Sequence, residues 1–127
     1  MKETFTILIA DRNPNVRELL KRELVAEGYL VELARSGREV LGFIDDPSRA
    51  PDLVIVDPDL PDMGEFSLLE LIRTRAPELP VVVHTFLAEY INHPVLLSSA
   101  AVVEKDGRHV DRLKDVVGEV LRSCSPH

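Results

Sequence analysis

The chain has 127 residues, with 22 Asp and Glu against 15 Lys and Arg and a formal net charge of −7. That length suits one domain with one sizeable core, since domains typically run to about 100–200 residues, and it leaves no room for a second module. The acidic balance argues against a nucleic-acid surface, which needs clustered Lys and Arg, and suits a cation or a partner with a basic face.

The first apolar run, Ile7-Leu8-Ile9-Ala10, is short, continuous and rich in β-branched residues, as expected of a strand buried on both faces. Asn13-Pro14 then supplies an N-cap and a proline at the first helical position, with Val16, Leu19, Leu20 and Leu24 on one face. Gly28 is placed to end that helix in the left-handed conformation. Tyr29 to Ala34 alternates, which suits an edge strand. Ser36-Gly37-Arg38-Glu39 is a capping box, followed by Val40, Leu41 and Ile44. Leu53-Val54-Ile55-Val56 is a third strand, and Leu68, Leu69, Leu71 and Ile72 mark a helix that stops before Pro77. Val81-Val82-Val83 and Ala100 to Val103 give strands four and five. Between them, Phe86 to Ser99 predicts a short or irregular helix, interrupted at His93-Pro94. The last helix carries Leu113, Val116, Val117, Val120 and Leu121.

Strands alternating with helices across short loops predict right-handed crossovers and an α/β fold. The expected architecture is one domain over residues 1–127. It is a doubly wound, five-stranded parallel sheet in the flavodoxin-like order 2-1-3-4-5, with helices on both faces. Cys124 is the sole cysteine, so a disulfide within the chain and a Cys-based metal site are excluded. No apolar run approaches the roughly 20 residues of a membrane span, and the N-terminus lacks the longer apolar core of a secretory signal. A soluble, cytoplasmic protein is expected.

In an open parallel sheet the site lies beyond the carboxyl ends of the strands. Strand one ends at Asp11, strand three at Asp57, strand four at His84-Thr85 and strand five at Glu104-Lys105. The order 2-1-3-4-5 places Asp11 beside Asp57, with Thr85 and Lys105 flanking Asp57. A carboxylate can act as a nucleophile toward phosphorus. Two adjacent carboxylates suit Mg²⁺, which takes few protein ligands and keeps several waters. An ammonium and a hydroxyl would then offset and bind phosphoryl oxygens, where positioning and charge supply most of the catalysis. Taken singly, each of these residues reads better as a polar strand end meeting solvent; the four together are what point to chemistry.

Ile7-Leu8-Ile9-Ala10-Asp11 with Asn13-Pro14, then Pro51-Asp52-Leu53-Val54-Ile55-Val56-Asp57 and Leu60-Pro61-Asp62-Met63, resemble the receiver domain of bacterial two-component response regulators. The resemblance covers essentially the whole chain. It implies that Asp57 accepts a phosphoryl group from a histidine kinase or phosphotransfer protein, and that the domain signals by a conformational change. It further implies that Thr85 is the switch hydroxyl and Lys105 the phosphate-pairing lysine. Asp11, Asp57 and the backbone carbonyl of Asp59 would hold Mg²⁺. Any enzymatic activity would be limited to self-phosphorylation from a phosphodonor and autodephosphorylation. Output would pass to a downstream protein partner or a missing domain, with homodimerisation left open.

Five positions depart from the family pattern. Arg12 stands where a second acid binds the metal directly. At about 5 Å and an effective dielectric of about 20, each of the two charge units so changed is worth roughly 3 kcal/mol before solvent screening. Mg²⁺ affinity should therefore fall unless Arg12 swings into solvent, or Arg12 itself stands in for the metal. Gly64-Glu65 alters a loop that usually carries an acid and then glycine. Phe86 replaces the small residue after the switch hydroxyl, and its ring is expected to narrow access. Val102 replaces the aromatic that rotates with that hydroxyl. Asp106 replaces a proline, so a cis bond there is not expected, given its cost without proline.

These departures keep a rival open: a degenerate receiver used as a phosphorylation-independent binding module. A flavin or nucleotide binder is the poorest reading, because Asp11-Arg12-Asn13-Pro14-Asn15 lacks any glycine for a phosphate loop. His84 should point away from the site by strand alternation, and His93, His109 and His127 lack metal-ligand spacing. Asp45-Asp46 and Asp59 with Asp62 read as a solvated acidic surface.

Overall fold

A computed structural model describes residues 4–63, 67–86, 99, 101–105 and 110–124. The strands are β1 (Thr6–Ala10), β2 (Leu30–Ala34), β3 (Leu53–Val56), β4 (Val81–Thr85) and β5 (Ala101–Glu104). The helices are α1 (Pro14–Ala26), α2 (Gly37–Asp45), α3 (Ser67–Arg75) and α4 (Asp111–Cys124). All strand pairs are parallel and the sheet order is β2-β1-β3-β4-β5, as the sequence pattern predicts. The irregular helix expected within 86–99 falls on residues outside the described ones apart from Phe86 and Ser99, as do Gly64-Glu65 and Asp106.

The continuous apolar runs are explained by burial on both sides. Ile7 and Ile9 pack with Leu20 and Leu24 of α1 and Leu113 and Val117 of α4. Leu8 and Ala10, pointing the other way, pack with Val40 of α2 and Leu68 and Ile72 of α3. A strand with no solvent face has no reason to alternate. The edge strand β2 does alternate over its first four residues, with Leu30 and Glu32 exposed and Val31 and Leu33 half-buried against the α1/α4 cluster.

Local signals set the helix ends. Asn13 caps α1 by accepting from the Asn15 N–H at 2.8 Å. Gly28 closes it at φ +97°, where the Gly28 N–H donates to the Val25 carbonyl and the Tyr29 N–H to the Leu24 carbonyl. That pair of bonds is the Schellman arrangement, and the positive φ is why glycine stands there. Ser36 caps α2, accepting from the Glu39 N–H at 3.2 Å. The reciprocal arm of the capping box is shifted: Glu39 Oε1 accepts from the N–H of Arg35 rather than that of Ser36. β4 and β5 each run further than their apolar cores, because Thr85 pairs with Glu104.

Candidate functional site

The sheet delivers four polar side chains to one place. Ala10 pairs with Val56, so Asp11 and Asp57 leave neighbouring strands together. The backbone bonding runs one residue past each strand end: the Asp57 N–H donates to the Ala10 carbonyl at 2.9 Å, and the Lys105 N–H to the Thr85 carbonyl at 2.8 Å. These bonds fix the Cα positions from which the side chains project. Asp11, Asp57, Thr85 and Lys105 are all buried.

Lys105 is the centre of the cluster. Its Nζ donates to Asp11 Oδ2 and to Asp57 Oδ2, each at 2.6 Å. The other carboxylate oxygens are held by backbone: Asp11 Oδ1 accepts from the Asn13 N–H and Asp57 Oδ1 from the Asp59 N–H, each at 2.9 Å. Every carboxylate oxygen therefore has a partner, as buried charge requires. Two carboxylates against one ammonium leave a formal charge of −1. Arg17 braces the β1 end from α1, donating from Nη1 to the Asp11 carbonyl at 2.7 Å.

His84 follows Val82 onto the α1/α4 face, whereas Thr85 follows Val83 onto the other, as alternation predicts. The imidazole is buried and its Nδ1 has no hydrogen-bond partner among the described residues. It lines a cavity of about 50 Å³ with Val16, Leu19, Leu20, Phe86, Lys105 and Val110. Burial, reinforced by the Lys105 charge and opposed by Asp57, lowers its pKa from 6.5 to about 4, so it is neutral at pH 7. Phe86 is 60% exposed, and Lys105 Nζ lies 5.1 Å from its ring centroid. The ring covers the ammonium from outside, a cation–π contact. Val102 packs partly buried against the α2/α3 cluster, so an aliphatic side chain holds that position.

Arg12 does turn toward solvent. Its Nη1 sits 3.3 Å from Asp59 Oδ2, with the two side chains 58% and 55% exposed. The acidic surface residues are more engaged than the sequence suggests. Asp62 accepts from the N–H groups of Gly37 and Arg38, at 2.8 and 3.0 Å, which holds its carboxyl below the usual range, the Gly37 bond contributing most. Met63 then lies so close to Gly37 that a Cβ there would meet its Sδ at 2.6 Å. The Leu60–Met63 stretch thus clips the loop after Asp57 to the start of α2. Asp45 pairs with Arg75, and Asp46 accepts from Ser48. Sequence reasoning missed these partners because they lie 24 to 30 residues away or depend on a turn geometry that spacing alone does not specify.

Among the described residues, no group of three or more His, Cys, Asp and Glu side chains could hold a metal. The donor set is two carboxylates, Asp11 and Asp57, which is within what Mg²⁺ accepts when waters and phosphate complete its shell.

The family model of the response regulator receiver domain matches residues 7–112. The chain belongs to this family. The response regulator MprA of Mycolicibacterium vanbaalenii is 39% identical over 79 residues, 62% of this chain and 33% of MprA. The receiver therefore spans about a third of the length of the curated relatives it matches. The Thermotoga maritima response regulator TrrA, solved in complex with Mg²⁺-BeF, is 31% identical with a TM-score of 0.84, over 91% of this chain and 98% of that one. A structure of the histidine kinase ThkA in complex with TrrA matches at 32% identity and a TM-score of 0.82, over 92% and 98%. Nothing in these relatives favours the degenerate binding module. Among the described residues, no helix of the receiver is long and apolar enough to cross a membrane.

Proposed function

We propose that Asp57 is the phosphoacceptor of this receiver, supplied by the phosphohistidine of a histidine kinase or phosphotransfer protein. The observation that carries this reading is Lys105 Nζ standing 2.6 Å from both Asp11 Oδ2 and Asp57 Oδ2 at the carboxyl end of the sheet. TrrA, similar over nearly its whole length, is solved both with Mg²⁺-BeF and with a histidine kinase. In the transfer a carboxylate oxygen of Asp57 attacks phosphorus, the P–N bond breaks as the P–O bond forms, and the imidazole leaves with a proton from solvent. Lys105 offsets charge on the phosphoryl oxygens, and the Thr85 hydroxyl donates to one of them. Asp11, Asp57 and the Asp59 carbonyl are the groups that would hold Mg²⁺, which when bound supplies further positive charge.

With Val102 in place of an aromatic, the change that follows travels through Thr85 and the backbone of β4 and β5 rather than through a rotating ring. Residues 1–127 act as one receiver unit in the cytoplasm, and their output reaches a protein partner or a further domain. Acetyl phosphate, and separately beryllofluoride, each with millimolar Mg²⁺, test the acceptor. Intact-mass and NMR measurements should show one phosphoryl group, or one bound fluoride complex, on the wild type and neither on Asp57→Asn. A wild type that neither reagent changes, or an Asp57→Asn variant that is still modified, defeats the assignment.

A further inference from the structure

The charge balance of the pocket changes when Asp57 is phosphorylated. Lys105 is already shared between two carboxylates at 2.6 Å, and those three groups carry a formal −1. A phosphoryl group brings about −1.5 to −2 in place of one carboxylate charge, so the pocket then lacks positive charge. Among the described residues, two other cations reach Asp11 or Asp59. Arg17 is committed to the Asp11 carbonyl at 2.7 Å. Arg12 is held more loosely: its guanidinium bonds Asp59 Oδ2 at 3.3 Å, in a pair more than half exposed at both ends. Exposed pairs of this kind hold weakly.

The tether also places Arg12 well. The residue whose carboxylate holds the guanidinium is the same one whose backbone N–H binds Asp57 Oδ1 at 2.9 Å. The guanidinium therefore waits beside a residue that already touches the phosphoacceptor. Its planar fork matches phosphoryl oxygens in pairs, whereas an ammonium offers a point charge.

We infer that Arg12 is a phosphoryl-binding residue of this receiver, which leaves Asp59 for the phosphoryl oxygens on Asp57 and makes the site less dependent on a divalent cation. The inference rests on Asp57 being the acceptor. Arg12 fills the position where an acid would have added a third carboxylate, so one substitution removes a metal ligand and supplies a charge in its place.

The test uses the whole chain as wild type, Arg12→Gln, Arg12→Lys and Arg12→Asp. Acetyl phosphate modification is followed by mass in chelator and in millimolar Mg²⁺, and Mn²⁺ binding without phosphodonor is measured by water-proton relaxation. The wild type should be modified in chelator. Arg12→Gln should lose roughly tenfold to a hundredfold of that metal-free modification, the range of a charge-assisted hydrogen bond, and Arg12→Lys should recover part of it. Arg12→Asp should bind Mn²⁺ more tightly than wild type and be modified only with metal. Equal metal-free modification of wild type and Arg12→Gln, or none in either while Mg²⁺ restores both, overturns the role of Arg12 and leaves Asp57 standing. A wild type unmodified under every condition overturns both. Because Arg12 is exposed, the variants should share the wild-type thermal unfolding profile.

Discussion

Lys105 and Lys114 each stand between two carboxylates, and their surroundings make them different devices. Lys105 meets Asp11 and Asp57 at 2.6 Å with side chains 5%, 3% and 10% exposed. Lys114, on α4, meets Glu23 of α1 at 2.9 Å and Asp111 at 3.7 Å, where Asp111 is 83% exposed. The second cluster has water as an alternative partner for every group. The first does not, so each charge there depends on the others. Burial converts the same three groups from a surface ornament into a site whose charge must be balanced again whenever one member changes.

The largest effect should come from Lys105→Met. It leaves two buried carboxylates facing each other without a cation, and breaking a buried pair in this way costs about 3–5 kcal/mol. Urea unfolding at pH 7 reads it directly. Asp57→Asn, which leaves one ammonium against one carboxylate, should cost clearly less. If the two variants unfold at the same urea concentration, the pocket is not behaving as a coupled buried cluster.

His84 sharpens the comparison because it is a titratable group buried beside Lys105 that stays neutral. Its pKa is about 4 in the folded chain against 6.5 ordinarily. A depressed pKa means that the unfolded chain binds the proton first. The stability held above pH 6.5 is therefore lost as pH falls toward 4, by on the order of 3 kcal/mol. His84→Leu should flatten that part of the pH profile and also remove the unpartnered Nδ1. An unchanged slope between pH 6.5 and 4 would place the acid sensitivity elsewhere.

The contrast between local and distant partners also explains what the sequence made legible. The parallel sheet follows from apolar runs buried on both faces, its order from five strands alternating with helices, and the candidate site from reading the residue at each strand end. All three need only local pattern and topology. The Asn13 cap and the Gly28 turn are set within a few residues and are equally readable. Lys105 joins Asp11 and Asp57 across 94 and 48 residues, so its presence at the site was legible while its bridging geometry was not. The Arg12–Asp59 pair, 47 residues apart, is of the same kind. His84 was correctly turned from the Thr85 face, yet its lack of a partner depends on what α1 and β5 bring around it.

A smaller effect belongs to Asp62, whose carboxylate caps the first N–H groups of α2 from a loop 24 and 25 residues away. Asp62→Ala should cost about 1 kcal/mol, as losing a helix cap does. Asp62→Asn should recover most of it, because an amide oxygen can still accept. The alanine substitution should also loosen the segment following Asp57, read as faster amide exchange at Gly37 and Arg38. Loss of stability without faster exchange there would separate the cap from the loop it holds.

Lys114 gives the smallest effect and the sharpest control. Its hydrogen bond to Glu23, then the charge of the pair, lowers the Glu23 pKa, and the same bond raises that of Lys114. For the carboxylate, the sign is that any contribution is present above the ordinary glutamate pKa and fades as pH falls through the lowered one. For the lysine, it is present below the ordinary lysine pKa and fades as pH rises through the raised one. Both contributions are fully present at neutral pH, but solvent screens this surface pair, so Lys114→Met should shift neutral-pH unfolding only slightly. Salt should abolish whatever difference remains, since exposed pairs are screened. Lys105→Met should keep its deficit in the same salt, because its partners are shielded by protein rather than by ions. If added salt erases both deficits alike, burial is not what distinguishes the two lysines.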